Sequence, residues 1–170
     1  MFSDPDKSIF TTKPIDFNND GLEDIIIVYT DGSIKLAKNY GYGPNFKNLE
    51  NLMLIATNIQ EVHIGDIDGN GYPDIIIQTT NNQLRAYLNT YGKFDVDGNP
   101  FCLNTNVEAG EVSKNPIDTS SVYQIFLEDM DKDNSLDIIT NDHKGFVKIF
   151  YGGKNGQGTY ISKDKATCDT

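Results

Sequence analysis

The 170-residue sequence predicts an all-β chain built from about three repeated units. Three observations lead there. An acidic nine-residue segment occurs three times, and each copy runs into a β-branched apolar stretch. A second short apolar run then follows at a constant distance and ends in a Gly-containing turn. The segments align without a gap: Asp16-Phe-Asn18-Asn-Asp20-Gly21-Leu22-Glu-Asp24-Ile-Ile-Ile, Asp66-Ile-Asp68-Gly-Asn70-Gly71-Tyr72-Pro-Asp74-Ile-Ile-Ile, and Asp129-Met-Asp131-Lys-Asp133-Asn134-Ser135-Leu-Asp137-Ile-Ile-Thr.

Each element of a unit has its own signal. Val62 to Ile64 and Val122 to Leu127 read as strands leading into the second and third acidic segments. Ile25 to Tyr29 and Ile75 to Thr80 are apolar on both faces, as in strands covered from both sides. Ten residues after the last Asp of each segment, Ile34, Leu84 and Val147 open the next strand-like run. Turns follow at Tyr40–Gly43, Tyr91–Gly92 and Gly152–Gly153. Fourth strands are weaker: Leu52 to Ala56 for the first unit and Phe101 to Asn104 for the second, with Tyr160 to Ser162 a poor candidate in the third. Only Asn48 to Ile55 has some helical character. The units divide as 1–50 with an acidic loop at 16–24, 51–110 with a loop at 66–74, and 111–170 with a loop at 129–137.

Composition narrows the function classes. Fourteen Lys and Arg against 25 Asp and Glu give a net charge of −11, which argues against a phosphate-binding nucleic-acid surface. No apolar run reaches the ~18–20 residues of a membrane span. Met1 to Phe10 lacks an apolar stretch of signal-peptide length, so either the protein is intracellular or its leader is absent from this sequence. Cys102 and Cys168 form no metal-ligand pair; they are either one disulfide or two thiols. His63 and His143 have no zinc-type spacing and read as ordinary strand or turn residues.

The acid surplus is local. Positions 1, 3, 5 and 9 of the three loops hold ten carboxylates, and without them 15 acids face 14 bases. Carboxylates crowded into nine residues repel one another unless a cation lies among them. Oxygen donors without thiols or imidazoles select Ca2+, which takes six to eight oxygens. Oxygen-bearing side chains stand at positions 1, 3, 5 and 9 of every loop. Position 6 (Gly21, Gly71, Asn134) suits a left-handed turn, and the carbonyl at position 7 can serve as a further ligand. The alternative is a set of Asp/Asn/Gly-rich hairpin turns with no ion. An EF-hand fails because position 12 is Ile27, Ile77 and Thr140, in strand-like runs, where that loop needs Glu. A fourth acidic turn, Asp95 to Asn99, has Leu103 at its ninth position and reads as a plain hairpin turn.

These loops, with the ending Leu84-Arg-Ala-Tyr-Leu-Asn89-Thr-Tyr-Gly92-Lys-Phe94, resemble the FG-GAP and VCBS repeats of integrin-α-like β-propellers over about residues 10 to 160. The resemblance implies four-stranded β-propeller-type blades with Ca2+ in the hairpin loop joining the first two strands, up to three ions in all. Carried over by position, the ligands are Asp16, Asn18, Asp20, Leu22 and Asp24; Asp66, Asp68, Asn70, Tyr72 and Asp74; and Asp129, Asp131, Asp133, Ser135 and Asp137. Propellers typically have four to eight blades. Three blades leave two open faces, so the expectation is part of a larger propeller, through self-assembly or neighbouring blades of a longer chain; the alternative is a compact three-unit arrangement with its own caps.

No catalytic constellation is present: no Gly-x-Ser-x-Gly, no P-loop, no His-Glu-x-x-His. The leading expectation is a calcium-stabilised module, extracellular or on a cell surface, that binds a protein or carbohydrate partner. It involves neither nucleic acid nor membrane insertion. Tyr40, Tyr42, Tyr72 and Tyr91 lie in or near turns, either as contact residues or as turn stiffeners. The alternative is an accessory propeller of a secreted polysaccharide- or lipid-active enzyme. A third, an intracellular calcium sensor, predicts a large shape change on calcium removal.

Overall fold

The computed structural model describes residues 6–41, 46–54, 58–80, 84–94, 101–102, 122–142 and 147–152. They form three antiparallel sheets, each a meander in which sequence neighbours pair. The first contains β1 (Ile9–Ile15), β2 (Asp24–Tyr29), β3 (Ser33–Asn39) and β4 (Phe46–Leu54). The second contains β5 (Ile59–Gly65), β6 (Asp74–Thr79), β7 (Leu84–Tyr87) and the short β8 (Phe101–Cys102). The third contains β9 (Val122–Glu128), β10 (Asp137–Asp142) and β11 (Val147–Phe150). The described residues include no helix, and hence none long and apolar enough to cross a membrane.

Two sequence expectations need correction. β4 begins at Phe46, six residues before the expected Leu52, and carries the first sheet to Leu54, past the division at residue 50. The same strand occupies most of Asn48 to Ile55, where helical character was expected. Pairing with β3, Leu36 opposite Glu50 and Ala37 opposite Leu49, supplies ladder hydrogen bonds that outweigh a weak local helix preference. In the second unit the expected strand at Phe101 to Asn104 is observed as Phe101–Cys102. Tyr160 to Ser162, Asp95 to Asn99, Tyr42, His143 and Cys168, and with it any Cys102–Cys168 pairing, lie outside the described residues.

The sheets stack face to face through the alternation of β6. Ile75 and Ile77 turn toward the first sheet, into a cluster with Ile15, Phe17, Ile26, Val28, Ile34 and Leu36. Ile76 turns the other way, against Ile125 and Ile138 of the third sheet and Ile67 of the second acidic loop. Ile75, Ile76 and Ile77 are all fully buried. Burying each contributes about 1.5–3 kcal/mol, and only a strand covered on both faces collects it at every position.

The outer faces of the stack differ. On the third sheet, Ile139 pairs with Phe126 and Ile149 on the side away from the second sheet, and Asn141 with Val147. Phe126 is 51% and Val147 66% exposed, whereas Ile34, which holds the position of Val147 in the first unit, is 1% exposed. On the outer side of the first sheet Ile27 and Tyr29 are buried, while Ile9, paired with Tyr29, is exposed. Lys7 and Lys35 each place an ammonium 5.6 Å from the centre of the Tyr29 ring.

Candidate metal centre

The three acidic segments are the hairpin loops β1–β2, β5–β6 and β9–β10, and their position-9 carboxylates open β2, β6 and β10. Position 6 is left-handed in every copy, as the sequence predicts: φ is +83° at Gly21, +87° at Gly71 and +68° at Asn134. Position 4 is left-handed too, at Asn19 (+56°), Gly69 (+69°) and Lys132 (+63°). That second reversal carries no residue signature, since Asn, Gly and Lys share none. For Lys132 it costs about 1 kcal/mol or more against an ordinary backbone.

With the backbone so curled, the same hydrogen bonds form three times. At position 1, Asp16, Asp66 and Asp129 accept from the N–H groups of positions 5 and 6, at 2.8–3.1 Å. At position 5, Asp20, Asn70 and Asp133 accept from the N–H of position 7, which is Leu22, Tyr72 or Ser135. At position 9 one oxygen accepts from the N–H of position 2: Phe17 to Asp24 at 3.3 Å, Ile67 to Asp74 at 2.9 Å, Met130 to Asp137 at 2.7 Å. The other accepts at 2.7 Å from an N–H fifteen residues downstream, where the third strand of the unit ends: Asn39, Asn89 or Gly152. Turn chemistry therefore accounts for more of these acids than the sequence suggested. Positions 1, 5 and 9 each satisfy backbone donors, and position 9 clamps the third strand to the loop.

Position 3 has less of this work. Asp68 and Asp131 each accept one N–H, from Asn70 at 3.1 Å and Asp133 at 3.2 Å. Asn70 also donates its side-chain amide to Asp68 at 3.1 Å. Asn18 donates its amide to Asp20, and its Oδ1 is buried without a partner. Ser135 Oγ, in the third loop, is likewise buried and unpartnered.

Two sets of carboxylates converge. Asp66, Asp68 and Asp74 bring one oxygen each within 4.8 Å of the others, and Asp129, Asp131 and Asp137 do the same. In the first loop Asp16, Asp20 and Asp24 form no such trio, because position 3 is an amide and Asp20 is turned to Asn18 and Leu22. A hard cation fits these residues: the donors are all oxygen, the trios lack only a counter-charge, and the Asn18 Oδ1 lacks only a partner.

The electrostatics support that fit. Asp74 is fully buried, and burial pushes its carboxyl up to about 8 against the pull of two N–H bonds. The neighbouring charges of Asp68 and Asp66 push the same way. Burial likewise raises Asp24, Asp137 and Asp68 above the ordinary carboxylate range. A cation among them would favour the charged forms that burial disfavours.

Sequence reasoning missed Asn39, Asn89 and Gly152, the donors that complete position 9. These donors are backbone N–H groups at a constant offset of fifteen residues, which residue type does not mark. His63 lies in β5 with Nε2 3.1 Å from Glu61 Oε2, a strand residue as expected.

No curated protein matches the chain. A family model for the FG-GAP-like repeat matches residues 16–77, from the first acidic loop through the second and into β6. FG-GAP repeats are blades of β-propellers, and the antiparallel meanders that this stretch runs through are all-β in the same way. Over residues 16–77 the chain is thus similar to the FG-GAP-like repeat.

Proposed function

We propose that the three acidic loops take up Ca2+, one ion each, and that the chain is a calcium-stabilised module for protein or carbohydrate binding or adhesion, at the cell surface or outside the cell, without catalysis of its own. The observation that carries this reading is the convergence of Asp66, Asp68 and Asp74, repeated by Asp129, Asp131 and Asp137, around a position-9 carboxylate with no exposed surface. The ligand sets are Asp16, Asn18, Asp20 and Asp24; Asp66, Asp68, Asn70 and Asp74; and Asp129, Asp131, Asp133 and Asp137. The carbonyls of Leu22, Tyr72 and Ser135 join them. The match to FG-GAP repeats, which often bind calcium and are typical of extracellular proteins, supports both the ion and the compartment.

In this reading the loops act by linkage. The folded loop gathers its carboxylates and the unfolded chain does not, so each site contributes ~2.7 kcal/mol when free calcium is ~100 times its dissociation constant. The stiffened hairpins present their turns to the partner. Tyr72 and Tyr91 meet edge-on beside the second loop with ring centres 5.3 Å apart, and Tyr91 is 78% exposed. An aromatic surface of this kind suits a protein or sugar contact. The exposed face carrying Phe126 and Val147 supports a further blade, from a second copy or a neighbouring segment. Light scattering that finds a stable, well-folded monomer would remove the second copy.

A thermal melt with calcium, with magnesium and with chelator, alongside a metal count, tests the central claim. Calcium should raise the melting temperature and be retained at up to three ions per chain. An unchanged melt with no bound metal overturns the reading. Position 9 doubles as a hydrogen-bond clamp, so the site-specific variants belong at position 3. Asp68→Ala and Asp131→Ala should each remove one ion and leave the strands paired.

A further inference from the structure

We propose that Asn89 couples the first two acidic loops, so that cation binding at one strengthens binding at the other. The inference rests on the calcium reading above. Asn89 is fully buried two residues past the end of β7 and is bonded to both loops. Toward the second loop, its N–H donates to Asp74 Oδ1 at 2.7 Å and its carbonyl accepts from the Asn70 side chain at 2.8 Å. Its side-chain amide donates to the Pro73 carbonyl at 3.1 Å. The same amide reaches the Phe17 carbonyl at 2.8 Å, across 72 residues of sequence. Phe17 precedes Asn18, whose unpartnered Oδ1 belongs to the first loop's ligand set.

The turn that follows reinforces this link. Thr90 and Lys93 exchange backbone hydrogen bonds around Tyr91 and Gly92, which are both left-handed (φ +55° and +73°), the geometry of a tight type I′ hairpin. A Cβ on Gly92 would stand 3.0 Å from Asn18 Cβ, so the turn lies directly against the first loop. The Phe94 ring meets that of Phe17 at 5.3 Å. Asn89 and its turn form one arm, held by ligand residues Asp74 and Asn70 at its root and seated on Phe17 and Asn18 at its side. Ordering the second loop fixes the arm, and the arm fixes the backbone that presents Asn18. Linkage makes the effect reciprocal.

The other units lack this device. Asn39, the counterpart in the first unit, bonds locally to the Glu23 carbonyl at 3.1 Å. Gly152, the counterpart in the third, has no side chain and contributes its N–H alone. Replacing Asn89 by Gly therefore reproduces an arrangement the protein already uses. It keeps the N–H bond to Asp74 and removes the bridge to Phe17 together with the side-chain bond to the Pro73 carbonyl.

The test is calcium titration of the full chain followed by NMR, with the amides of Gly21, Gly71 and Asn134 reporting loops one, two and three. Disabling the second loop with Asp68→Ala, a side chain with no bond to Asn89, should weaken calcium binding at Gly21 by about 5-fold or more, the lower end of typical coupling. Asn89→Gly should weaken the first loop by a similar factor and leave Asn134 unchanged; adding Asp68→Ala should then have no further effect at Gly21. An Asp68→Ala chain whose first loop binds as tightly as before overturns the coupling and leaves the calcium reading intact. That comparison has Asn89 in place, so it decides the matter even if Asn89→Gly does not fold. Failure of the unmodified chain to bind calcium at any reporter overturns both claims.

Discussion

The two seams between the three sheets solve the same packing problem differently. Between the first and second sheets lies an apolar cluster of ten buried residues, closed at the loop end by the Phe17–Phe94 contact and the Asn89 amide. Between the second and third, five residues are buried among the described ones, with Leu88, Leu127 and Leu136 packed alongside. There the loops are joined directly, by the Leu136 N–H donating to the Asp66 carbonyl at 2.9 Å. Position 8 explains the contrast. Leu136 has an N–H to give, but its counterpart in the second loop is Pro73, which has none. At that seam a side chain makes the link instead: Asn89 donates to the Phe17 carbonyl, one position further along the first loop than Asp66 is in the second. One residue choice thus moves the link between neighbouring blades from backbone to side chain, where a single substitution can remove it.

Core truncation should break the comparison most clearly. Ile75→Ala opens a cavity in the larger cluster and Ile138→Ala in the smaller; both fall in the range of about 2–5 kcal/mol. Urea denaturation should place Ile75→Ala toward the upper end and Ile138→Ala toward the lower. Equal losses would mean that the two seams are equally well packed.

Gly65 marks the second seam. A Cβ there would overlap Leu136 Cδ1 and come within 3.3 Å of Leu127 Cδ1. Gly65→Ala should cost about 1–3 kcal/mol through overpacking, and Leu136→Ala in the same chain should restore part of the loss. Urea denaturation of the two variants measures both.

The acidity of the middle loop follows from its place between the seams. Burial raises Asp74 to about 8 from an ordinary value near 3.8, so without metal its contribution to stability is complete below about pH 4 and is lost as pH rises toward 8. In chelator, the melting temperature should therefore climb as pH falls from 8 to 5, and Asp74→Asn should flatten that slope. On the proposed calcium binding the trend should reverse in calcium, because the ion would need the carboxylate and protonation would release it. A chelated protein that loses stability over that interval would place Asp74 among ordinary exposed acids.

The smallest effect concerns position 4. Lys132 holds a left-handed backbone that Gly69 holds without strain, so Lys132→Gly should gain up to about 1 kcal/mol and Gly69→Ala should lose a similar amount. Differential scanning calorimetry resolves both shifts.

Much of this molecule was legible before any coordinates. The left-handed turns at Gly21, Gly71 and Asn134, the doubly buried run Ile75–Ile77 and the position-9 acids at the strand mouths all follow from local chemistry repeated in register. The extent of β4 was not legible. Its pairing partner β3 outweighs a weak local preference, and a single sequence does not display that partner. The second task of Asp24, Asp74 and Asp137 was also hidden. Their downstream donors are backbone N–H groups, which every residue but proline possesses, so residue type leaves no trace of them.

By itself the sequence determined that the described residues are strands and turns without helix, and that its acid is concentrated in three loops, expected to hold a cation. These are properties of short segments, set by turn conformation, strand periodicity and the charge of adjacent side chains. Only the tertiary structure decided which carboxylates meet, which face of the third sheet is left open, and that Asn89 reaches Phe17 from 72 residues away. Those outcomes depend on how the sheets stack. Stacking is chosen by the summed burial of many apolar side chains, and no individual residue carries it.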